Sequence, residues 1–396
     1  MNLKYFALFG GNPKFKKILP VGQLYFPSWE RYENAVRGIF ERQYYNNNGP
    51  LHEELEWRLK EFLGVRHAIC VSNATFGLMM LADAMELSGR VVLPGFTFIA
   101  SAQSLSWCGL QPVFCDVDMD SHQISIDQIE SLLDEKISAI MGVNLWGGAC
   151  NPKKLSQLAG SYGLQLYFDS AHAFGCKVDD IAIGNFGRAE VFSFHATKIL
   201  NATEGGCICT NDDDLADRLR SIRPSYGLKK TVDVLRVANA RMSEAQAAIA
   251  LMSLEDFHLN RNNNEMLFKK YDELLRDVSG IHLLKPPGVS FSNYQYAVFS
   301  IEENEFGLSR DLLIEILKAE NVFARRYFYP GLHRSIPYSK EFPEYLDLLP
   351  ITDKLCSSVI QLPIGALVTS QDVECICDII VNAHNNSSKI ISRYEK

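Results

Sequence analysis

The chain has 396 residues and a mass of 44.6 kDa, which predicts two domains rather than one. Its hydrophobic fraction of 47% and charged fraction of 22% are typical of a folded globular protein and exclude a disordered or fibrous chain. The formal net charge is −8, from 39 Lys+Arg and 47 Asp+Glu. This balance excludes a general nucleic-acid binder, whose affinity comes from a basic face.

The ten cysteines lie mostly in apolar stretches, which predicts buried thiols in a reducing compartment and hence a cytoplasmic protein. Two Cys-x-Cys pairs, Cys207/Cys209 and Cys375/Cys377, have no His cluster near them in the sequence, so we expect no metal site. Residues 1–17 are basic after a short apolar run, unlike a signal peptide, and no run of 18 apolar residues occurs. We therefore expect no membrane partner.

In chain order, residues 1–30 are predicted to form an N-terminal arm and residues 31–255 a large α/β domain. Its short apolar runs alternate with helical patterns such as FGLMMLADAMEL (76–87) and IDQIESLLDEK (126–136). Several runs are apolar on both faces, as strands covered by helices on each side must be. This alternation predicts a mainly parallel sheet. The predicted strands are HAICV (67–71), VVLP (91–94), PVFC (112–115), AIMGVNL (139–145), LQLYF (164–168), VFSF (191–194) and GCICT (206–210).

The pattern changes at Ser243, where residues 243–278 consist almost entirely of good helix formers. This stretch is long enough to leave one domain and enter another, so we place the boundary near residue 255. Residues 256–396 are predicted to form a smaller α+β domain. Its segments are YQYAVFSI (294–301), RDLLIEILKAE (310–320), VFARRYF (322–328), SSVIQLP (357–363) and SQDVECICDIIVNAH (370–384).

Polar residues follow three of the predicted strands. Asp169 comes after LQLYF, Lys198 shortly after VFSF, and residues 72–75 open a helix after HAICV. Ligands of open α/β sheets collect at this edge. An amine, an anion and a helix N-terminus suit pyridoxal phosphate, which needs a lysine for its aldehyde, a carboxylate for its ring nitrogen and amide donors for its phosphate. Taken singly, each has a structural alternative: a loop or cap aspartate, a solvated lysine, an N-cap.

The amino-acid sequences of the motifs are more specific than these residue types taken singly. FDSAHAFG (168–175) followed by FSFHATKILNATEGG (192–206) resembles the DegT/DnrJ/EryC1/StrS family of pyridoxal-phosphate nucleotide-sugar aminotransferases. The resemblance implies fold type I, with a mainly parallel seven-stranded sheet in the large domain and a smaller C-terminal α+β domain. Further family-like segments follow in family order: YYNNNGPLHEELEWRLKEFLGV (44–65), ICVSNATFGL (69–78), LPGFTFIASA (93–102), VANARMSEAQAA (237–248) and ARRYFYPGLHRSIPY (324–338).

The resemblance implies roles for individual residues. Lys198 falls on the Schiff-base lysine, Asp169 on the partner of the pyridine nitrogen, and His172 on the residue that contacts the ring hydroxyl. Phe98 matches the aromatic that stacks on the ring, although a core Phe beside Phe96 is the alternative.

The phosphate site is implied in the same way. Ala74, Thr75 and Ser193 match the phosphate-binding positions, and Asn239 looks like the asparagine that reaches the phosphate from the other subunit of a homodimer. The sequence departs from the family where Ser-Gly-Thr becomes residues 72–75, Ser-Asn-Ala-Thr. Ala is less permissive than Gly where backbone must approach an anion closely.

The implied reaction is transfer of an amino group from L-glutamate, leaving 2-oxoglutarate, to a ketone on a nucleotide-linked sugar. FSFHATK with EGG resembles members that act on 4-keto sugars, whereas 3-keto members tend to read YP-x-KN-LGA-x-GD. We therefore expect a dTDP- or UDP-linked 4-keto-6-deoxyhexose as acceptor, giving a 4-amino-4,6-dideoxy sugar for surface polysaccharide such as the O-antigen of lipopolysaccharide, or for another glycoconjugate. His195 is a candidate for the sugar side of the site, with a structural hydrogen bond as the alternative.

Candidate substrate contacts also come from the stretch 325–333, where Arg325, Arg326, Tyr327 and His333 supply cations and hydroxyls. Arg suits bidentate contact with phosphate or carboxylate, so these residues are candidates for the nucleotide diphosphate or the glutamate carboxylate. The alternative is a basic strand edge. Asn47, in an Asn-rich stretch before a glycine, is a candidate for the sugar entrance or a turn residue.

Other functions fit the sequence less well. A 3-keto-sugar aminotransferase remains the alternative within the same chemistry. A pyridoxal-phosphate sugar dehydratase of this family would carry His in place of Lys198, and a catalytically silent homologue would not need both Lys198 and Asp169. A nicotinamide oxidoreductase would need G-x-G-x-x-G after an early strand, which the chain lacks.

Overall fold

The computed structural model describes residues 3–46, 48–224 and 232–394. Within these ranges, seven strands form the large sheet, in the order β1-β9-β8-β5-β4-β2-β3. Four neighbouring pairs are parallel, and only β9 runs antiparallel to its neighbours, which confirms the predicted mainly parallel sheet. The strands are β1 His67–Val71, β2 Arg90–Pro94, β3 Gln111–Cys115, β4 Ile137–Val143, β5 Gln165–Asp169, β6 Lys177–Val178, β7 Ile181–Ala182, β8 Glu190–Ser193, β9 Gly206–Thr210, β10 Ile281–Leu283, β11 Ala297–Ile301 and β12 Val359–Leu362.

Helices cover the large sheet and pack around the smaller one. The described α-helices are α1 Trp29–Arg42, α2 Pro50–Leu63, α3 Ala74–Ala84, α4 Ile99–Trp107, α5 Ile126–Leu132, α6 Pro152–Ser161, α7 Asp213–Ile222, α8 Glu244–Glu255, α9 Phe257–Leu275, α10 Glu303–Phe306, α11 Arg310–Ala319, α12 Tyr338–Glu341, α13 Pro350–Ser358, α14 Ser370–Asn385 and α15 Ser387–Tyr394. Short 3-10 helices span Leu3–Tyr5, Ala7–Phe9 and Pro343–Asp347. None of the described helices is long and apolar enough to cross a membrane.

The large sheet is buried on both faces, as its apolar strands predict. In β4, Ala139, Met141 and Val143 pack into one hydrophobic cluster, while Ile140 packs into a second cluster. Successive side chains of a strand point to opposite faces, so each cluster lies against one side of the sheet. A strand that is apolar from Ala139 to Val143 is therefore stable here because helices cover it on each side.

The helical stretch at 243–278 differs from its prediction. It forms two helices, α8 and α9, that meet at Asp256, whose backbone is not helical (φ −91°, ψ 7°). The carboxylate of Asp256 accepts hydrogen bonds from Tyr25 and Arg31 of the N-terminal region. The break lies at the domain boundary placed from the sequence, although the boundary itself stays a prediction.

The C-terminal part contains a three-stranded antiparallel sheet in the order β10-β11-β12. The N-terminal arm lies against this part of the chain. Leu19 bridges Val322, and the buried carboxylate of Glu320 accepts hydrogen bonds from the backbone N–H groups of Ala7 (2.7 Å) and Lys14 (2.8 Å). The first part of the arm, as far as Leu19, is therefore held by the C-terminal part of the chain.

Candidate active site

Three chain segments place their polar residues at the same edge of the large sheet. The strands β1, β5 and β8 run in one direction, because β1 and β8 are each antiparallel to β9 and β5 is parallel to β8. Asp169 ends β5, the loop carrying Lys198 follows β8, and α3 begins just after β1. The sequence-predicted carboxylate, lysine and helix N-terminus therefore meet, as expected for a ligand site of an open α/β sheet.

Asp169 is buried, and the hydrogen-bond donors that the described residues supply to its carboxylate are neutral. Ser101 Oγ donates to Oδ2 (2.8 Å) and the Ala171 N–H donates to Oδ1 (3.2 Å). Burial raises the pKa of Asp169, and the two donors and the nearby charge of Lys198 oppose that rise. A buried carboxylate of this kind gains stability from a protonated ring nitrogen, so the site suits a pyridinium.

His172 lies against an aromatic wall formed by Trp146, Tyr296 and Phe328. The ring centroid of His172 is 4.8 Å from that of Tyr296 and 5.4 Å from that of Trp146, while Trp146 stacks on Phe328. Burial, helped by the charge of Lys198, holds the pKa of His172 well below its usual range. His172 is therefore neutral at pH 7 and able to donate or accept a hydrogen bond without a charge.

Lys198 lies in the loop between β8 and β9. The Lys198 N–H donates to His195 O (2.9 Å), and the side-chain Nζ lies 3.3 Å from the hydroxyl of Tyr296. The amine is half-buried beside the aromatic wall. Because its charge acts on both Asp169 and His172, the three residues form one electrostatic unit.

The N-terminus of α3 offers a cradle for an anion. Asn73 caps the helix by accepting from the Phe76 N–H (2.9 Å), and the N–H groups of Ala74 and Thr75 lie in the first turn. Gly206 of β9 packs directly against this turn, since a Cβ there would lie 2.8 Å from Ala74 N. Nearby, the buried hydroxyl of Ser72 has no protein partner among the described residues. These features fit a phosphate.

Two predicted cofactor contacts lie at the surface of the single chain. Phe98 precedes α4 and is 52% exposed, whereas Phe96 is fully buried, so the alternative of Phe98 as a core residue is wrong. Asn239 is exposed on a segment whose neighbours are fixed by hydrogen bonds from Ala238 N to Ile222 O (2.8 Å) and from Ala240 N to Arg223 O (3.2 Å). Asn239 thus points away from the fold that holds its backbone.

Ser193 and His195 begin the loop that carries Lys198. Ser193 Oγ accepts from the His195 N–H (3.3 Å). The His195 ring is half exposed, with Nδ1 2.9 Å from Thr197 Oγ1 and Nε2 3.7 Å from Glu204 Oε1. Those two partners give the structural alternative for His195 a physical basis, while its exposure leaves it open to a substrate.

A cleft of about 610 Å³ opens beside the lysine loop. Thr197 lines it together with Arg325, Arg326 and Tyr327. Arg325 Nη1 lies 3.3 Å from the Tyr327 hydroxyl, whereas Arg326 lies 3.4 Å from Asp311 and over the ring of Tyr329. Arg325 is therefore the guanidinium with a neutral neighbour, better suited to receive an anion.

Two predicted substrate residues are not brought to this cleft. His333 is fully buried, with Nε2 2.9 Å from Asp353 Oδ1, and burial lowers its pKa. Its ring is held by a structural partner and does not line the cleft. Asn47 lies outside the described residues.

Comparison with known proteins shows that a family model matches most of the chain. The model of the DegT/DnrJ/EryC1/StrS aminotransferase family matches residues 29–381. The chain belongs to this family. The predictions of the fold, of an aminotransferase and of pyridoxal phosphate as its cofactor are thereby confirmed.

Individual relatives are similar over nearly their whole length. A dTDP-4-amino-4,6-dideoxy-D-glucose transaminase of Shigella dysenteriae is 34% identical over 372 residues, covering 92% of this chain and 99% of the relative. A transaminase of the same name from Escherichia coli is 31% identical, covering 88% and 94%. The crystal structure of DesI in the presence of its TDP-sugar product superposes with a TM-score of 0.93 at 37% identity, covering 100% of each chain.

Several residues of the aminotransferase site were not foreseen from the sequence. Trp146 lies just beyond β4 at the same sheet edge, so the rule that found Asp169 could have found it. Ser101, a buried polar residue in the first turn of α4, could have been noted as a partner for a buried acid. Tyr296 approaches from the C-terminal part of the chain, and no local pattern signals its contact with Lys198.

Proposed function

We propose that this aminotransferase transfers the amino group of L-glutamate to a 4-keto-6-deoxyhexose linked to dTDP or UDP, yielding a 4-amino-4,6-dideoxy sugar nucleotide and 2-oxoglutarate. The observation that carries the proposal is the unit formed by Lys198, Asp169 and His172. Thr197, next to Lys198 in the chain, lines the cleft that also holds Arg325. The acceptor is inferred from relatives named as transaminases of a dTDP-4-amino sugar. The ten free cysteines suit the cytoplasm as location.

Lys198 is proposed to hold pyridoxal phosphate and to move the proton. When bound, the cofactor stores the electron pair left on the substrate carbon. The Lys198 amine, when the incoming amino acid frees it, would take the proton from the α-carbon of the donor and would return it to the aldehyde carbon of the cofactor. Tyr296, whose hydroxyl lies 3.3 Å from Nζ, is placed to hold the free amine in reach.

Asp169 and His172 would hold the cofactor ring. The Asp169 carboxylate would keep the ring nitrogen protonated, and the neutral His172 would hydrogen-bond the ring hydroxyl. Phe98, exposed at the same edge, would stack on the ring. The first turn of α3, with Ala74 and Thr75, would hold the phosphate together with Ser193.

The cleft is proposed as the substrate side. Arg325 and Tyr327 would bind the diphosphate of the nucleotide sugar or the carboxylate of glutamate, since both anions match a guanidinium beside a hydroxyl. Arg326 also lines the cleft, but it already pairs with Asp311. His195 would contact the sugar from the lysine loop.

A homodimer with shared sites is proposed from the surface around Asn239. An apolar groove of about 460 Å³ lies beside it, lined by Phe76, Trp107 and Val237 among others. Trp107 is 76% exposed and Val237 58% exposed. Exposed apolar side chains of this size mark an interaction surface. A second copy that covers this groove would receive Asn239 close to its own α3.

The substrate is tested by mass spectrometry of the products formed from glutamate with dTDP- and UDP-4-keto-6-deoxyglucose. We expect a product with an amine at C4 from one of the two nucleotides, and none with Lys198→Ala. An amine formed only on 3-keto substrates, or loss of the sugar hydroxyl without amine transfer, would refute the proposal in favour of the 3-keto or dehydratase alternative.

The shared site is tested by mixing two inactive variants. Lys198→Ala and Asn239→Ala, co-expressed, form mixed dimers in which one site has both wild-type residues. If half the dimers are mixed, about one quarter of the wild-type activity should return, as expected for a two-fold symmetric pair. Activity no higher than that of Asn239→Ala alone would show that Asn239 does not serve the partner's site.

A further inference from the structure

The side chain of Gln295 forms hydrogen bonds with the backbone on both sides of Lys198. Its side-chain Oε1 accepts from the Ile199 N–H (2.9 Å), and its Nε2 donates to Thr197 O (3.0 Å). The side chain is 1% exposed, so both bonds lie in a dry environment where an unpaired partner is costly. The lysine is thus flanked by two hydrogen bonds to one distant amide.

Residues 293–295 also bind the loop that carries His172. Asn293, also fully buried, donates from Nδ2 to His172 O (3.1 Å) and Phe174 O (2.9 Å). Its Oδ1 accepts from the Gln295 N–H (2.8 Å). Residues 293–295 therefore bind the backbone of the His172 loop and the backbone of the Lys198 loop at once.

The N-terminal arm adds further hydrogen bonds to Gln295 and to the lysine loop. Gln23 Nε2 donates to Gln295 O (2.8 Å), and the Gln23 N–H donates to Thr197 O (3.2 Å). Gln23 is 1% exposed. The arm thus supports Gln295 and touches the lysine loop directly, so the loop is fixed by segments remote in sequence on two sides.

The lysine loop needs such support because it belongs to no helix or strand. Between β8 and β9 it is ordered by a few turn hydrogen bonds, such as Lys198 N to His195 O (2.9 Å) and Ala196 N to Thr203 O (2.8 Å). A long, flexible side chain on a loosely held backbone would spread its amine over several ångströms. Proton transfer tolerates little of this, since a displacement of about 1 Å can cost on the order of 100-fold in rate.

We propose that Gln295 is a positioning residue for the transamination. It fixes the backbone around Lys198 relative to the His172 loop, and so sets where the lysine amine stands beside Asp169 and His172. The inference rests on the proposed role of Lys198. The C-terminal part of the chain would thus position the catalytic lysine through hydrogen bonds to the backbone beside it.

The test is Gln295→Met, which keeps the length of the side chain and removes both hydrogen bonds. We expect kcat to fall about 10- to 100-fold, with KM for the nucleotide sugar changed less than about twofold, because the substitution leaves the Arg325–Tyr327 contact of the substrate cleft in place. The pH at which the visible absorbance of the cofactor-loaded enzyme changes should move by about half a unit or more, because the environment of the lysine nitrogen changes. Amide hydrogen exchange at Ile199 should accelerate in the cofactor-free protein.

Glu320→Met is the matched control. It also removes a buried side chain that accepts two backbone hydrogen bonds, from Ala7 and Lys14, but it does not contact the lysine loop. We expect a comparable loss of thermal stability with an unchanged absorbance titration. If Gln295→Met does not fold, Gln23→Met takes its place as the test. We then expect kcat and the absorbance titration to change in the same direction as for Gln295→Met, but by less.

Reduction of the loaded enzyme with borohydride, followed by peptide mass spectrometry, separates this inference from the proposed function. A label on a residue other than Lys198 would refute the proposed lysine. A label on Lys198 with folded Gln295→Met titrating like the wild type, or with Glu320→Met shifted equally, would overturn the positioning role.

Discussion

Replacing Glu190 by glutamine tests the electrostatics beneath the active site. Glu190 is fully buried at the start of β8, where Oε1 accepts from the N–H groups of Gly184 (2.6 Å) and Phe186 (2.9 Å). Oε2 accepts from Ser170 Oγ, next to Asp169 in the chain, and from Asn144 Nδ2 (3.4 Å). Glutamine can keep an oxygen toward the two backbone amides, so the change removes the charge with little change in volume.

The size of the effect follows from the pKa of Glu190. Burial raises it from 4.5 to about 7, against the donors that favour the carboxylate. The folded state therefore binds more protons than the unfolded state between these two pH values, and stability falls as pH rises through that window. At about 1.4 kcal/mol per pH unit, the loss amounts to about 3 kcal/mol above pH 7. A glutamine side chain cannot ionise, so the Glu190→Gln variant should not show this loss.

Urea unfolding at fixed protein concentration, between pH 4.5 and 8, measures the difference. The free energy of unfolding of Glu190→Gln minus that of the wild type should rise by about 3 kcal/mol across this range, whatever its value at low pH. Ser170→Ala should act in the opposite direction, because loss of the hydroxyl donor raises the pKa of Glu190 further. A flat difference for Glu190→Gln, or a fall with pH, would refute the reasoning.

Three further predictions follow from single contacts. Asp169→Asn keeps the shape but removes the anion, so kcat should fall on the order of 100-fold and cofactor should be lost on gel filtration; an unchanged kcat would contradict the role of Asp169. Gly206→Ala would place a Cβ 2.8 Å from Ala74 N and Phe192 O, which should cost about 1–3 kcal/mol in urea unfolding and weaken binding of the cofactor measured by equilibrium dialysis; equal affinity would argue against a phosphate at α3. Arg223→Met leaves the mostly buried carboxylate of Glu56 without its arginine, with the Cys70 N–H still donating to it, and should cost about 3–5 kcal/mol, with much of that recovered in Arg223→Met/Glu56→Gln; no recovery would show that the pair is not the cause.

The sequence by itself determined the sheet and one edge of the site. Strands apolar on both faces, such as β4, need helices on each side whatever else the chain does. Asp169 and the Lys198 loop directly follow such strands, so their meeting is a consequence of parallel strand direction. The family wording around them identified the chemistry, while the roles of the single residues stay predictions.

Only the tertiary structure decided which distant residues complete the site. Gln295 and Tyr296 reach Lys198 across nearly one hundred residues of chain, and their contacts depend on how the C-terminal sheet docks on the large one. Periodicity and turn signals report neighbours within a few residues and carry no record of such docking. The break at Asp256 has the same origin, because Tyr25 of the arm and Arg31 of α1 bind its carboxylate and helix propensity alone predicts continuity.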